Sequence, residues 1–355
     1  MILPVNDLGQ LFAALVDIES VSGNEQLLAD TVEQTLKGAT HLVTSRDGNT
    51  VIARSELGRA QRVVFAGHLD TVPVADNLPS CWTDGVAGLE LVGRGSVDMK
   101  GGVAVMLRLA LALTAPRMDV TWVYYDNEEV AYEANGLGRV LATTPELLQA
   151  DFAVLLEPTN AVIEGGCQGS IRLAVTVTGR AAHSARSWLG DNAIHAMAAV
   201  IDLVRSFPVG EVEVDGLRYR EGLNITTISG GVAGNVIPDS CTAGINYRFA
   251  PDKSASEALD IMRELFSDYQ VAVLDVSPAA RPGLNQPIAA QFVALVGGVA
   301  QPKYGWTDVA RFAEVGIPAV NYGPGEPSLA HTVDEHAPLA QLYACEQALS
   351  RWLKG

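Results

Sequence analysis

Four short apolar runs, rich in β-branched and aromatic residues, each end in a side chain that can hold a proton or a metal ion. Gln61–Ala66 leads into Gly67-His68, Leu89–Val97 into Asp98, Val120–Tyr125 into Asp126, and Phe152–Leu156 into Glu157. Such runs, bounded by turn residues, read as buried strands. Helix-period segments lie around them, at residues 7–17 and 24–37 and from Gly101-Gly102 to about Ala115. Strands alternating with helices predict an α/β fold with a largely parallel, mixed sheet flanked by helices. In such sheets functional side chains gather at the carboxyl ends of the strands. His68, Asp70, Asp98, Glu128, Glu129, Glu157 and, much later, His331 are therefore expected to converge.

From residue 169 the rhythm changes. Strand 170–178, helix 190–206, strands 223–230 and 242–249, helix 253–267 and strand 269–276 follow in the order β-α-β-β-α-β, the signature of a ferredoxin-like sheet. Pro278–Gly283 reads as a linker, after which helices 288–300 and 338–353 and strand Ala319–Tyr322 return to the first style. The 355-residue chain is long enough for two domains. The expected organisation is a discontinuous catalytic domain, 1–168 and 283–355, interrupted by a lid or dimerisation domain, 169–282.

Charge narrows the function. Lys and Arg number 24 against 41 Asp and Glu, a net charge of −17. That balance argues against nucleic acid and against an anionic membrane surface as partners. An anionic small substrate stays possible only at a locally positive site. The N-terminal residues lack the basic and apolar regions of a signal peptide. The apolar run Val103–Ala115 is broken by Arg108 and is too short to span a bilayer. A cytoplasmic protein is expected.

Four cysteines, Cys81, Cys167, Cys241 and Cys345, form no C-x-x-C pair, and reduced thiols are expected. Imidazole and carboxylate donors suit Zn²⁺, Co²⁺ or Mn²⁺. Two histidines and three carboxylates are too many for one open catalytic zinc; they suit two ions sharing a bridging carboxylate. His68 and Asp70, two apart on a strand, point the same way, so the Asp70 carboxylate can accept the second imidazole N–H. Of the adjacent Glu128 and Glu129, one can bind metal while the other serves as general base.

Several segments resemble the M20 family of di-zinc amidohydrolases and peptidases: G-H-L-D-T-V-P (67–73), G-R-G-S-V-D-M-K-G-G (93–102), D-N-E-E-V (126–130), L-L-E-P-T (155–159), R-A-A-H-S-A (180–185), N-V-I-P-D (235–239) and L-A-H-T-V-D-E (329–335). The resemblance implies two divalent ions, zinc by preference, with His68 and Glu157 on one, Glu129 and His331 on the other, and Asp98 bridging. It implies Glu128 as the catalytic base, Asp70 behind His68, and a cis peptide after Asp98. It further implies that His183 stabilises the oxyanion in a neighbouring subunit, hence a homodimer built through the lid. Arg248 is implied as a carboxylate-binding residue, with Asn235, Ser170, Thr307 and Arg186 as further substrate contacts and Arg311 as an additional cation. The stretch 304–312 is similar to the biosynthetic subgroup that hydrolyses N-succinyl-LL-2,6-diaminopimelate, an anionic N-acyl amino acid. N-acetylornithine deacetylases, other N-acyl-amino-acid hydrolases, and dipeptidases or carboxypeptidases of the same family are the alternatives; a non-catalytic metal-binding module would have lost ligands or the base. One departure stands out. Some members of the subgroup carry two arginines where this chain has Cys167-Gln168, and Arg186 is the expected replacement.

Overall fold

The computed structural model describes residues 2–355 and divides the chain into two compact units. The first comprises the chain up to Gly166, Pro282–Gln301 and Thr307–Gly355; the second comprises Cys167–Arg281 and Pro302–Trp306. The short return of Pro302–Trp306 to the second unit leaves no local sequence signal.

The first unit is built on a mixed eight-stranded sheet. Its spatial order is Val43–Asp47, Thr50–Arg54, Asp119–Tyr125, Arg62–His68, Phe152–Leu155, Ala319–Asn321, Glu164–Gly165 and Gln301–Pro302. The four strands from Asp119–Tyr125 to Ala319–Asn321 pair in parallel, whereas Val43–Asp47 with Thr50–Arg54, Thr50–Arg54 with Asp119–Tyr125, and Ala319–Asn321 with Glu164–Gly165 pair antiparallel. The sheet is therefore less parallel than expected. One reason is local: Asp47-Gly48-Asn49-Thr50 is a tight-turn sequence that folds the first two strands into a hairpin.

The strand expected over Leu89–Val97 also differs. It stops at Val92 and pairs with Cys81–Gly85 and His336–Pro338 in a separate three-stranded sheet. After Gly93 and Gly95 the chain coils tightly through Ser96–Lys100, so Asp98 sits in a turn and not at a strand end.

Helices Leu8–Val16, Gln26–Lys37, Gly101–Ala112 and Leu339–Lys354 contribute apolar stripes to the core of this unit. At its centre Phe65 stacks on Trp122 at 4.8 Å, while Trp352 of the last helix meets Phe152 edge-on at 5.9 Å and Phe292 at 4.7 Å. Full burial of each such ring stabilises the fold by about 1.5–3 kcal/mol. Beneath the site, two glycines press on one peptide. Gly102 and Gly323 both leave no room for a side chain against the Leu156–Glu157 backbone.

The second unit has a four-stranded antiparallel sheet in the order Gly222–Gly230, Ser240–Phe249, Gly169–Thr178 and Gln270–Ser277. Helices Ala193–Ser206 and Ala255–Leu265 connect its strands. In Ser240–Phe249 every second residue, from Cys241 to Phe249, is buried. This face packs with Met197 and Val200 of one helix and Met262 of the other, as period-2 and period-3.6 patterns require. Asn192 caps the first helix, and a Ser254–Glu257 capping box starts the second. Among the described residues no helix is long and apolar enough to cross a membrane.

Candidate metal centre

The end of strand Arg62–His68 fixes the first donor. His68 is 1% exposed, and its Nδ1 lies 2.9 Å from the backbone carbonyl of Asp70. A carbonyl can only accept, so Nδ1 carries a hydrogen and Nε2 is the atom turned toward the other donors. That Nε2 lies 3.0 Å from Asp98 Oδ1. The other oxygen, Asp98 Oδ2, lies 3.4 Å from His331 Nε2, and His331 Nε2 lies 2.8 Å from Glu129 Oε1. Donor atoms of His68, Asp98 and Glu129 all fall within 4.8 Å of one another. The Asp98–Met99 peptide is cis.

Asp70 differs from the expectation drawn from its spacing. Its backbone carbonyl, not its carboxylate, takes the His68 N–H; the carboxylate Oδ1 is 3.6 Å from Nδ1. The carboxylate instead accepts the N–H groups of Glu128 at 2.9 Å and Glu129 at 3.0 Å, and the hydroxyl of Ser22 at 2.8 Å. It thereby anchors the turn after strand Asp119–Tyr125. The Ser22 contact had no signal in the sequence, because it is made from a segment almost fifty residues away.

Electrostatics show what this pocket lacks. Burial pushes the Glu128 carboxyl well above its usual range, and the charges of Glu157, Asp308 and Glu129 push the same way against His68. Glu129 is likewise raised, by burial first and by Asp98, with His331 opposing. His331 is pushed up to about 10 by hydrogen bonding to Asp98 and Glu129. Among the described residues no lysine or arginine forms an ion pair with Asp98, Glu128 or Glu129. Asp98 and Glu129 are met by the imidazoles of His68 and His331 alone among basic side chains of the described residues, and a group of carboxylates this enclosed is unfavourable unless further positive charge joins it. The donor set therefore fits divalent metal: imidazole nitrogen and carboxylate oxygen, with no thiolate. Glu157, 5% exposed, follows strand Phe152–Leu155 and is near enough to act on Glu128.

One expected cation, Arg311, and one expected polar contact, Thr307, have partners inside the fold. Arg311 is 5% exposed; its Nε donates to Asp308 Oδ1 at 2.6 Å, its Nη2 to the Tyr132 carbonyl at 2.5 Å, and its guanidinium lies 3.6 Å above the Tyr132 ring. It clamps the loop after Glu129 to helix Val309–Glu314 and is not an open substrate cation. The Thr307 hydroxyl is buried against Asn321 Oδ1 at 2.9 Å.

In the second unit, Arg248 and Ser170 are cross-strand neighbours. Arg248 donates through Nε to Asn246 Oδ1 at 3.2 Å, and Asn246 donates to Ser170 Oγ at 3.1 Å. Burial depresses the Arg248 pKa, and no carboxylate pairs with it among the described residues. His183 and Asn235 come together: His183 pairs with Val236, and the Ser184 N–H donates to the Asn235 carbonyl at 2.9 Å. His183 Nδ1 accepts the Ala185 N–H at 3.1 Å, which leaves the ring proton on Nε2. Arg186 is exposed on the turn that follows. Cys167 and Gln168 are buried, and the Gln168 side chain donates to the Arg220 carbonyl at 2.7 Å.

Comparison with known proteins places this geometry. The model of the peptidase family M20/M25/M40 matches residues 64–355. The chain belongs to this family. Over 349 residues it is 50% identical to a putative succinyl-diaminopimelate desuccinylase of Mycobacterium tuberculosis, covering 98% of each chain. Over 350 residues it is 45% identical to the succinyl-diaminopimelate desuccinylase of Corynebacterium glutamicum, covering 96% of this chain and 94% of the relative. A dinuclear metal-binding M20 peptidase of Bacillus subtilis shares the fold with a TM-score of 0.72 at 16% identity, over 98% of this chain and 97% of that one. This M20 chain is thus an enzyme of the metallopeptidase and amidohydrolase family, acting on acylated amino-acid or peptide substrates.

Proposed function

We propose that this M20 enzyme hydrolyses N-succinyl-LL-2,6-diaminopimelate to succinate and LL-2,6-diaminopimelate. The observation that carries the reading is 45–50% identity, over nearly the whole chain, to relatives named for that reaction. His68 and Glu157 would hold one divalent ion and Glu129 and His331 a second. Asp98 would bridge them, since its two oxygens face different imidazoles. When bound, such ions polarise the scissile carbonyl and make water more acidic. Glu128 takes a proton from the attacking water as its oxygen bonds to the amide carbon. It then gives that proton to the departing nitrogen as the C–N bond breaks. Asp70 holds Glu128 in place through the backbone.

In this reading His183 donates from Nε2 to the developing oxyanion, reaching the site of a second copy, so the working unit is a homodimer assembled through the lid. Arg248, with Ser170, Asn235 and Arg186 nearby in the lid sequence, receives the substrate carboxylates. A local cationic pocket of this kind reconciles a dianionic substrate with a chain of net charge −17. The deciding experiment measures kcat/KM on N-succinyl-LL-diaminopimelate, on N-acetyl-L-ornithine and on a dipeptide, with and without added zinc. Preference for either of the last two substrates overturns the assignment. Retention of activity in Glu128→Ala overturns the mechanism.

A further inference from the structure

Arg94 and Glu335 form an ion pair outside the ligand set, with Nη1 and Oε2 2.7 Å apart and side chains 3% and 1% exposed. Buried pairs of this kind are seldom needed for stability alone, because desolvation offsets most of the Coulombic gain. Their remaining contacts show what this one joins. Glu335 Oε1 accepts the backbone N–H groups of Val97 at 3.0 Å and Asp98 at 3.1 Å, at the turn that presents Asp98. The Glu335 backbone carbonyl accepts the Gly93 N–H at 3.0 Å. Arg94 Nε donates to the Pro73 carbonyl at 3.0 Å, just beyond His68 and Asp70, and its Nη1 donates to the Thr332 carbonyl at 3.2 Å, next to His331.

His331 needs such support. Its φ is 66°, in the left-handed region that residues with a side chain adopt only when their surroundings impose it. The turn around it is closed by Thr332, whose N–H and hydroxyl both donate to the Leu329 carbonyl, at 3.2 and 2.8 Å. Arg94 holds that turn from the far side. One buried pair therefore grips three segments, each of which carries part of the centre.

We propose that Arg94 and Glu335 are positioning residues that couple the two halves of the metal centre, tying His331 to the turn of Asp98. The proposal rests on the two-ion reading above. Glu335→Gln keeps an oxygen for the two N–H groups but removes the charge that orients Arg94. Arg94→Lys keeps a positive charge but cannot reach Pro73, Thr332 and Glu335 together. The test titrates metal-free protein with Zn²⁺ by calorimetry and with Co²⁺ by visible absorption, and records the melting of the metal-free form.

Wild type is expected to take two equivalents. In Glu335→Gln both affinities should fall, because Asp98 serves both ions, and one of them, the one that also depends on His331, should fall clearly further, by about 10–100-fold, the range for removing partners that orient ligands. Arg94→Lys should fall between the two. Unchanged affinities in both variants overturn the proposal. So do two affinities that fall by the same factor, in step with the melting of the metal-free protein, because that is the signature of a structural pair. Uptake of a single equivalent by wild type refutes the two-ion reading itself and separates that failure from the others.

Discussion

The two glycines on the Leu156–Glu157 peptide offer a sharp test of how the fold sets the site. A Cβ at Gly323 would lie 2.6 Å from the Glu157 carbonyl oxygen and 2.7 Å from the Leu156 carbonyl carbon. A Cβ at Gly102 would lie 2.8 Å from Leu156 Cβ and 3.0 Å from Met99 Cε. Both would press closer still on the Leu156 carbonyl oxygen, and ordinary carbon–oxygen and carbon–carbon contacts are about 3.3–3.5 Å, so Ala at either position displaces the peptide or its neighbour by about 1 Å. The peptide cannot yield freely. Tyr322 N–H donates to the Leu155 carbonyl at 2.8 Å, and Thr159 exchanges hydrogen bonds with Gly323 at 3.0 and 3.1 Å. Overpacking of this kind costs about 1–3 kcal/mol. Glu157 moves with its backbone, and a misplacement near 1 Å lowers rates by about 100-fold. Gly323→Ala should therefore lose about 10–100-fold in kcat/KM at saturating zinc, together with a lower guanidinium midpoint for the metal-free protein. A variant with the wild-type midpoint and wild-type kcat/KM refutes the argument that this close approach places Glu157.

Three further outcomes are expected. Glu25 is fully buried, and burial, then the charges of Asp70 and Asp126, raises its pKa above the ordinary 4.5. An acid with a raised folded-state pKa adds stability below its unfolded value and loses it as pH rises through the folded one. Glu25→Gln should therefore melt higher than wild type at pH 8 and equally at pH 4; a difference that is the same at both pH values refutes this. Arg311→Ala removes the charged partner of the buried Asp308 carboxylate, which keeps the neutral Asn135 amide, and should destabilise the protein by about 3 kcal/mol in denaturant titrations; a raised KM with unchanged stability would instead make Arg311 a substrate cation. Chelation should abolish hydrolysis and lower the melting temperature, since metal at 100 times its Kd stabilises the folded state by about 2.7 kcal/mol; an unmoved melting curve argues against metal at this site.

The convergence of His68, Asp98, Glu129 and His331 was legible because strand periodicity and turn residues are local properties of the chain. The βαββαβ order of residues 169–277 was legible for the same reason. What escaped depends on pairing between distant segments. Asp98 reads as the end of a long strand, yet Gly93 and Gly95 break that strand and give Asp98 to a turn held by Glu335. Glu335 itself sits in a charged Val-Asp-Glu-His stretch that looks like solvated surface, although it is 1% exposed. Asp70 was placed correctly on the face of His68, but a neighbouring carbonyl took the imidazole N–H and freed the carboxylate to hold the Glu128–Glu129 turn. Arg311 looked available because, although Asp308 stands only three residues before it, the Tyr132 loop that covers it lies almost 180 residues away.

The order of the central sheet also bears on how the chain is made. Ala319–Asn321 lies between Phe152–Leu155 and Glu164–Gly165, pairing with both, although it emerges from the ribosome about 150 residues after them. At roughly 5–20 residues per second, the apolar edge of Phe152–Leu155 waits on the order of ten seconds or more for its neighbour. A nascent chain of this topology carries an open strand edge beside its future active site throughout the synthesis of residues 167–281, and an open edge is a template for pairing with other chains. The period of greatest aggregation risk therefore falls during synthesis of that insertion, and closes only when the C-terminal strand slots into the sheet.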